Sequence, residues 1–117
     1  MKNTILKDKS FAFGVEIVWI CAQLRKEKKE YILNKQILRS GTAIGALIRE
    51  AEFGQSRADF INKMSIALKE ANETEYWLDL LKCTGYIQDD KYTDMSERLK
   101  DILYMLIASI KTAKANK

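Results

Sequence analysis

The residues best suited to chemistry are carboxylates: Glu50, then Glu70, Glu73, Glu75 and Asp79 in a later stretch. On a helix, Glu70 and Glu73 share roughly one face, and with Glu50 they have the composition of a carboxylate metal cluster. The chain contains no histidine. That absence removes the zinc-protease helix motif, the Glu-x-x-His di-iron motif and any histidine-based triad or proton shuttle. Lys63, Lys69 and Lys82 stand close to these acids, so ion pairing or solvation is their expected role. Glu50 is expected to be partly buried beside a basic partner. No catalytic residue, metal ligand or cofactor is assigned, and the chain is not expected to be an enzyme. Cys21 and Cys83 each lie in an apolar helical run and read as small buried hydrophobes in a reducing compartment.

The basic residues gather in three places. RKEKK at 25–29 continues through Lys35 and Arg39; Lys2, Lys7 and Lys9 lie near the amino terminus; KTAKANK forms the carboxyl-terminal tail. Arg25, Lys26, Lys28, Lys29, Lys35 and Arg39 are the candidate phosphate contacts, with Tyr31 and Tyr92 as candidates to stack on bases. The competing reading is a solvated turn with frayed ends. Lysine and arginine outnumber acids 20 to 16, a net +4, which suits nucleic-acid binding without being diagnostic of it.

The elements that must carry these side chains are helices. A chain of 117 residues is about one domain. It has no proline, which favours long straight helices and short turns. Periodicity and turn signals predict helices over about 10–28, 34–53, 57–82 and 90–115. Asn34 reads as an N-cap, and Ser56 with Asp59 as a capping box; Gly54 and Gly85 stand where a left-handed residue ends a helix. Apolar steps of four and three run through Ile37, Gly41, Ile44, Ile48 and Ala51, then Phe60, Met64, Ala67, Ala71, Thr74, Leu78 and Leu81, then Met95, Leu99, Ile102, Leu106, Ser109 and Ala113. Such stripes predict an all-α, up-down-up-down antiparallel four-helix bundle.

The first helix is apolar on more than one face. Between Phe11 and Ala22 its only charge is Glu16. Phe11, Val15 and Val18 follow one line, Phe13, Ile17, Ile20 and Leu24 another, with Trp19 between or beyond them. A helix apolar nearly all round must be nearly all buried, so Phe11, Phe13, Val15 and Trp19 are the candidate contacts with a second copy of the chain. The segment is too short and too charged to span a bilayer, and no signal peptide is evident, so a cytoplasmic protein is expected.

Gly14, Gly41 and Gly45 lie inside predicted helices, where each costs about 1 kcal/mol against alanine. A phosphate-binding loop would need Gly-Lys-Ser/Thr after a strand, and a membrane dimerisation face would need a longer uncharged run. Close helix packing survives, with Trp19, Phe60 or Trp77 as candidates to fill the groove; a small-ligand or anion site there is the alternative.

RSGTAIGALIREA, followed by QSRADFINKMSIALKEANETEYWLDLL, resembles the four helix bundle protein family, also called the 23S rRNA intervening-sequence protein family, which includes accessory proteins of diversity-generating retroelements. The match is close over residues 37–81 and general in the first and fourth helices. The resemblance implies a bacterial four-helix bundle that assembles as a ring, commonly a homopentamer. It also implies RNA or DNA as a partner through a basic surface, and for the accessory branch a partner protein such as a reverse transcriptase. The family's Ser-Ile-Gly-Ala-Asn-Ile-Ala-Glu appears here as AIGALIRE, so Ala43 and Leu47 replace polar residues and Arg49 a small one. The expectation is a non-enzymatic, homo-oligomeric bundle that binds RNA through a basic surface, the alternative being a protein-interaction scaffold.

Overall fold

Alternating steps of four and three residues give each helix an inward apolar stripe, the first helix carrying further apolar residues outside it, and in the structure these stripes meet in one core. The computed structural model describes residues 4–116, so the candidate cations Lys2 and Lys117 lie outside the described residues. Among those described the chain is all-α, with α1 (Thr4–Lys28), α2 (Ile32–Glu52), α3 (Arg57–Cys83) and α4 (Asp89–Ala115) and no strand. The helices form an elongated body of 49 × 21 × 19 Å. No described helix is long and apolar enough to cross a membrane.

Each helix packs on the next in sequence, and α4 returns to α1. Lys7 meets Glu52, Ser10 meets Gly45, Ile17 meets Gly41 and Cys21 meets Asn34, so contacts descend α2 as they ascend α1. The α2–α3 seam contains a polar bridge inside the core. The Thr74 hydroxyl lies 2.9 Å from Ser40 Oγ and 2.8 Å from the Glu70 carbonyl, so both buried hydroxyls are satisfied. Ion pairs close α4 onto α1: Lys91 donates to Glu16 at 2.6 Å and Lys9 to Asp101 at 3.3 Å.

Several departures from the sequence reading fall at helix ends. α1 is already helical at Thr4, the first described residue and six before the predicted start: Leu6 is fully buried and Ser10 is an interior helix position whose hydroxyl donates to the Lys7 carbonyl. Asn34 is not an N-cap; α2 starts at Ile32 and Asn34 is buried within it. Ser56 does cap α3, accepting from the Asp59 N–H at 3.1 Å, while Asp59 accepts from the Gln55 N–H. At the far end of α3, Gly85 has φ +80°, its N–H reaching the Lys82 carbonyl and the Tyr86 N–H the Leu81 carbonyl, a Schellman closure. Gly54 is not left-handed. It is small instead, since a Cβ there would sit 3.1 Å from the Ala51 carbonyl.

The interior glycines divide. A Cβ on Gly41 would lie 2.9 Å from Ile17 Cγ1, and one on Gly45 would lie 3.3 Å from the Ser10 carbonyl oxygen. These two sites bring α1 close to α2, and what fills the space is Ile17 and the backbone at Ser10. Trp19 points away, while Phe60 and Trp77 are half-buried on α3 against the core. Gly14 does not pack closely within the chain, for nothing lies within 4 Å of its missing Cβ.

Opposite signs are therefore expected from one substitution. Gly41→Ala should destabilise by about 1–2 kcal/mol, because β-branched Ile17 is stiff and must move. Gly14→Ala should stabilise by about 0.5–1 kcal/mol through helix propensity alone. Urea unfolding of both variants checks this; equal effects would refute it.

Candidate nucleic-acid interface and subunit face

The cationic corner is built from the end of α1 and the start of α2. Arg25, Lys26 and Lys28 occupy the last turn of α1, where the helix dipole favours positive charge. The chain then reverses at Lys29, whose φ of 54° is the one left-handed non-glycine backbone among the described residues. The Glu30 N–H donates to the Leu24 carbonyl at 3.1 Å. The Glu30 carboxylate accepts from the Asn34 N–H at 2.8 Å and the Ile32 N–H at 3.3 Å. The acid inside the basic run thus caps α2, its charge turned toward the positive end of that helix.

Asn34 locks the corner from within. Its Nδ2 donates to the Cys21 carbonyl, the Cys21 thiol donates to the Asn34 carbonyl at 3.6 Å, and Arg25 reaches Asn34 Oδ1 at 3.5 Å. Burial pushes the Cys21 thiol up to about 11, against a weaker opposing pull from Arg25. Around this anchor Lys26, Lys28, Lys29 and Lys35 are exposed and make no ion pair among the described residues. Exposed Glu27 subtracts one charge from the corner.

Arg39 does not join them. It donates to Glu70 at 3.2 Å and to Glu73, and Glu73 also accepts from Trp77 Nε1 at 3.0 Å, so Arg39 ties α2 to α3. The other sequence candidates divide in the same way. Lys7 and Lys9 are ion-paired, whereas Lys111 and Lys114 of the tail are exposed. Tyr31 is 56% exposed at the corner. Tyr92 is half-buried: its hydroxyl donates to Asp79 at 2.6 Å, which raises its pKa, and Lys82 lies 5.0 Å over its ring.

Three of the candidate carboxylates are held in ion pairs, and Asp79 accepts from the Tyr92 hydroxyl. Glu70 and Glu73 hold Arg39, and Glu50, exposed rather than partly buried, holds Lys63 at 3.2 Å. No group of three or more potential metal ligands occurs among the described residues. Cys83 is exposed rather than buried, because it sits in the last turn of α3 beyond the core stripe.

The outward face of α1 stays apolar. Phe11 and Trp19 are each 62% exposed, Val18 is exposed and Val15 half-buried. Phe13 is a correction to the expected subunit contacts: it is fully buried in the protomer core with Ile17 and Ile20. Between α1 and α2 runs an open groove of about 850 Å³, lined by Phe11, Val15, Val18 and Phe53 over a floor of Gly14 and Gly45. Sequence reasoning missed Phe53, which had looked like the last turn of α2. It follows the helix end and projects at the groove.

The family described as 23S rRNA-intervening sequence protein matches residues 2–108. A crystal structure of a protein with unknown function from the S23 ribosomal protein family, from Bacteroides thetaiotaomicron, is 57% identical, with a TM-score of 0.92. The match covers 95% of this chain and 99% of that one. No curated protein matches significantly.

The two thiols should behave differently. In the folded protein a thiol reagent at neutral pH should label Cys83 and spare Cys21, with both labelled in denaturant; Cys83→Ser should abolish native labelling. Folding also holds the Cys21 proton that the unfolded chain releases near 9.0. That contribution is complete below pH 9.0 and is lost as pH climbs through about 11. Cys21→Ala should therefore flatten part of the alkaline fall in melting temperature.

Proposed function

The chain belongs to the 23S rRNA-intervening sequence protein family, and from that premise we propose a non-enzymatic, homo-oligomeric, antiparallel four-helix bundle that binds RNA through its cationic corner. The observation that carries this reading is the corner itself. Lys26, Lys28, Lys29 and Lys35 are exposed and unpaired among the described residues, while the neighbouring acid Glu30 is consumed as a helix cap. Contact pairs that ascend one helix and descend the next support the up-down-up-down order.

Self-association is supported by the α1 face. Apolar surface that is contiguous over the outside of a helix and the adjoining groove marks an interaction site. In a ring of five copies, the number implied by the family resemblance, each corner would recur around the rim. A modest +4 per chain then becomes a substantial surface potential. The setting would be the bacterial cytoplasm, with a reverse transcriptase or other protein as a further partner in the retroelement branch.

Two measurements test this. Binding of a structured RNA, followed by fluorescence anisotropy, should weaken steeply between about 50 and 200 mM salt, since each neutralised phosphate steepens the dependence. Lys26→Ala/Lys28→Ala/Lys29→Ala should lower low-salt affinity tenfold or more and reduce the logarithmic salt slope by roughly 2–3, whereas Arg39→Ala should cost stability instead. No binding at the lowest salt would favour the scaffold reading. Light scattering at micromolar concentration should give an oligomer for the native chain and a monomer for Val15→Glu/Val18→Glu; a native monomer would overturn self-association.

A further inference from the structure

Resting on the nucleic-acid reading above, we infer that the corner takes unpaired RNA, a single strand or a loop, with a base stacked on Tyr31. Tyr31 is the residue just before α2, at its N-cap position, and it stands between Lys29 and Lys35 in the basic run. It is followed by Ile32, which is 77% exposed. An aromatic ring and a branched apolar side chain exposed at consecutive positions in a basic run do not suit phosphate binding alone. The exposed Tyr31 ring offers a flat face among charges, the combination that single-strand binders use.

The choice between unpaired and paired RNA follows from which partner has a free ring face. In a duplex the bases already stack on one another, and only phosphates, sugars and groove edges are offered outward. An unpaired nucleotide brings a base for Tyr31 together with a phosphate for the adjacent lysines. Lys35 lies four residues after Tyr31, one helical turn along the same side of α2. Of the two aromatic candidates only Tyr31 is available, because the Tyr92 hydroxyl is held by Asp79 and its ring is covered by Lys82.

The platform is also fixed before any ligand arrives. The backbone on either side of Tyr31 is held by the Glu30 N–H on Leu24, by the Glu30 carboxylate on the first N–H groups of α2, and by buried Asn34. A ring presented on a rigid corner avoids the ordering cost that a mobile loop would incur.

The test compares two labelled ligands, an oligouridylate of about 12 nucleotides and an RNA duplex of the same length, at about 50 mM salt. The native protein should bind the single strand at least tenfold more tightly. Tyr31→Ala should lose about tenfold on the single strand and little on the duplex, while Tyr31→Phe keeps the preference. Circular dichroism melts establish that each variant is folded. Equal binding of the two ligands, or a Tyr31→Ala effect on both or on neither, overturns stacking while leaving a cationic RNA surface intact. Absence of binding to either ligand, or binding unaffected by Lys26→Ala/Lys28→Ala/Lys29→Ala, removes the cationic surface and this inference with it.

Discussion

At Gly41 and Gly45 α1 comes close onto α2, a side chain seated at the first and backbone at the second, and much of the architecture follows from that approach. Ile17 lies over Gly41 and the Ser10 carbonyl over Gly45, at separations a Cβ would make too short. With α1 drawn in, Leu6, Phe13, Ile17, Ile20 and Leu24 all reach the core. Full burial of each such side chain contributes about 1.5–3 kcal/mol, which outweighs the roughly 1 kcal/mol that each interior glycine costs. The same approach leaves the opposite side of α1, with Phe11, Val15, Val18 and Trp19, turned outward.

A second constraint acts where α1 turns into α2. Four lysines would repel one another in a loose loop, yet here the backbone between them is pinned. Lys29 adopts a left-handed conformation, Glu30 supplies the cap that the α2 sequence lacks, and Asn34 joins the two helices from inside. Charge on the surface and hydrogen bonding beneath it are thus separate tasks for neighbouring residues. This separation makes the corner a preorganised surface, whereas Arg39, a turn and a half further on, is drawn into the α2–α3 seam by Glu70 and Glu73.

Much of the helix pattern was legible because periodicity is a local property. The stripes Ile37–Ala51, Phe60–Leu81 and Met95–Ala113 are the buried stripes of α2, α3 and α4 except at Phe60 and Ala113, which are half-buried, and the Ser56–Asp59 cap is present as read. Several readings failed where a distant residue decides. Phe13 and Phe11 have the same character in sequence, and only the direction of α2 and α4 sends one to the core and the other to the surface. Asn34 has an N-cap's chemistry, but the Cys21 carbonyl offered it a buried partner. Tyr31 and Tyr92 are equivalent turn aromatics until Asp79 and Lys82 close on the second.

The sequence by itself determined that this chain is helical, roughly where its helices run, that histidine-dependent chemistry is closed to it, and which stripes face inward. These follow from residue type and spacing within a few turns. Tertiary structure alone decided which glycines are contacts, which basic residues remain free and which apolar residues of α1 stay exposed. Each of those outcomes depends on a neighbour tens of residues away, so no local pattern could encode it: Arg39 and Lys35 differ in their availability because Glu70 and Glu73 reach one and not the other.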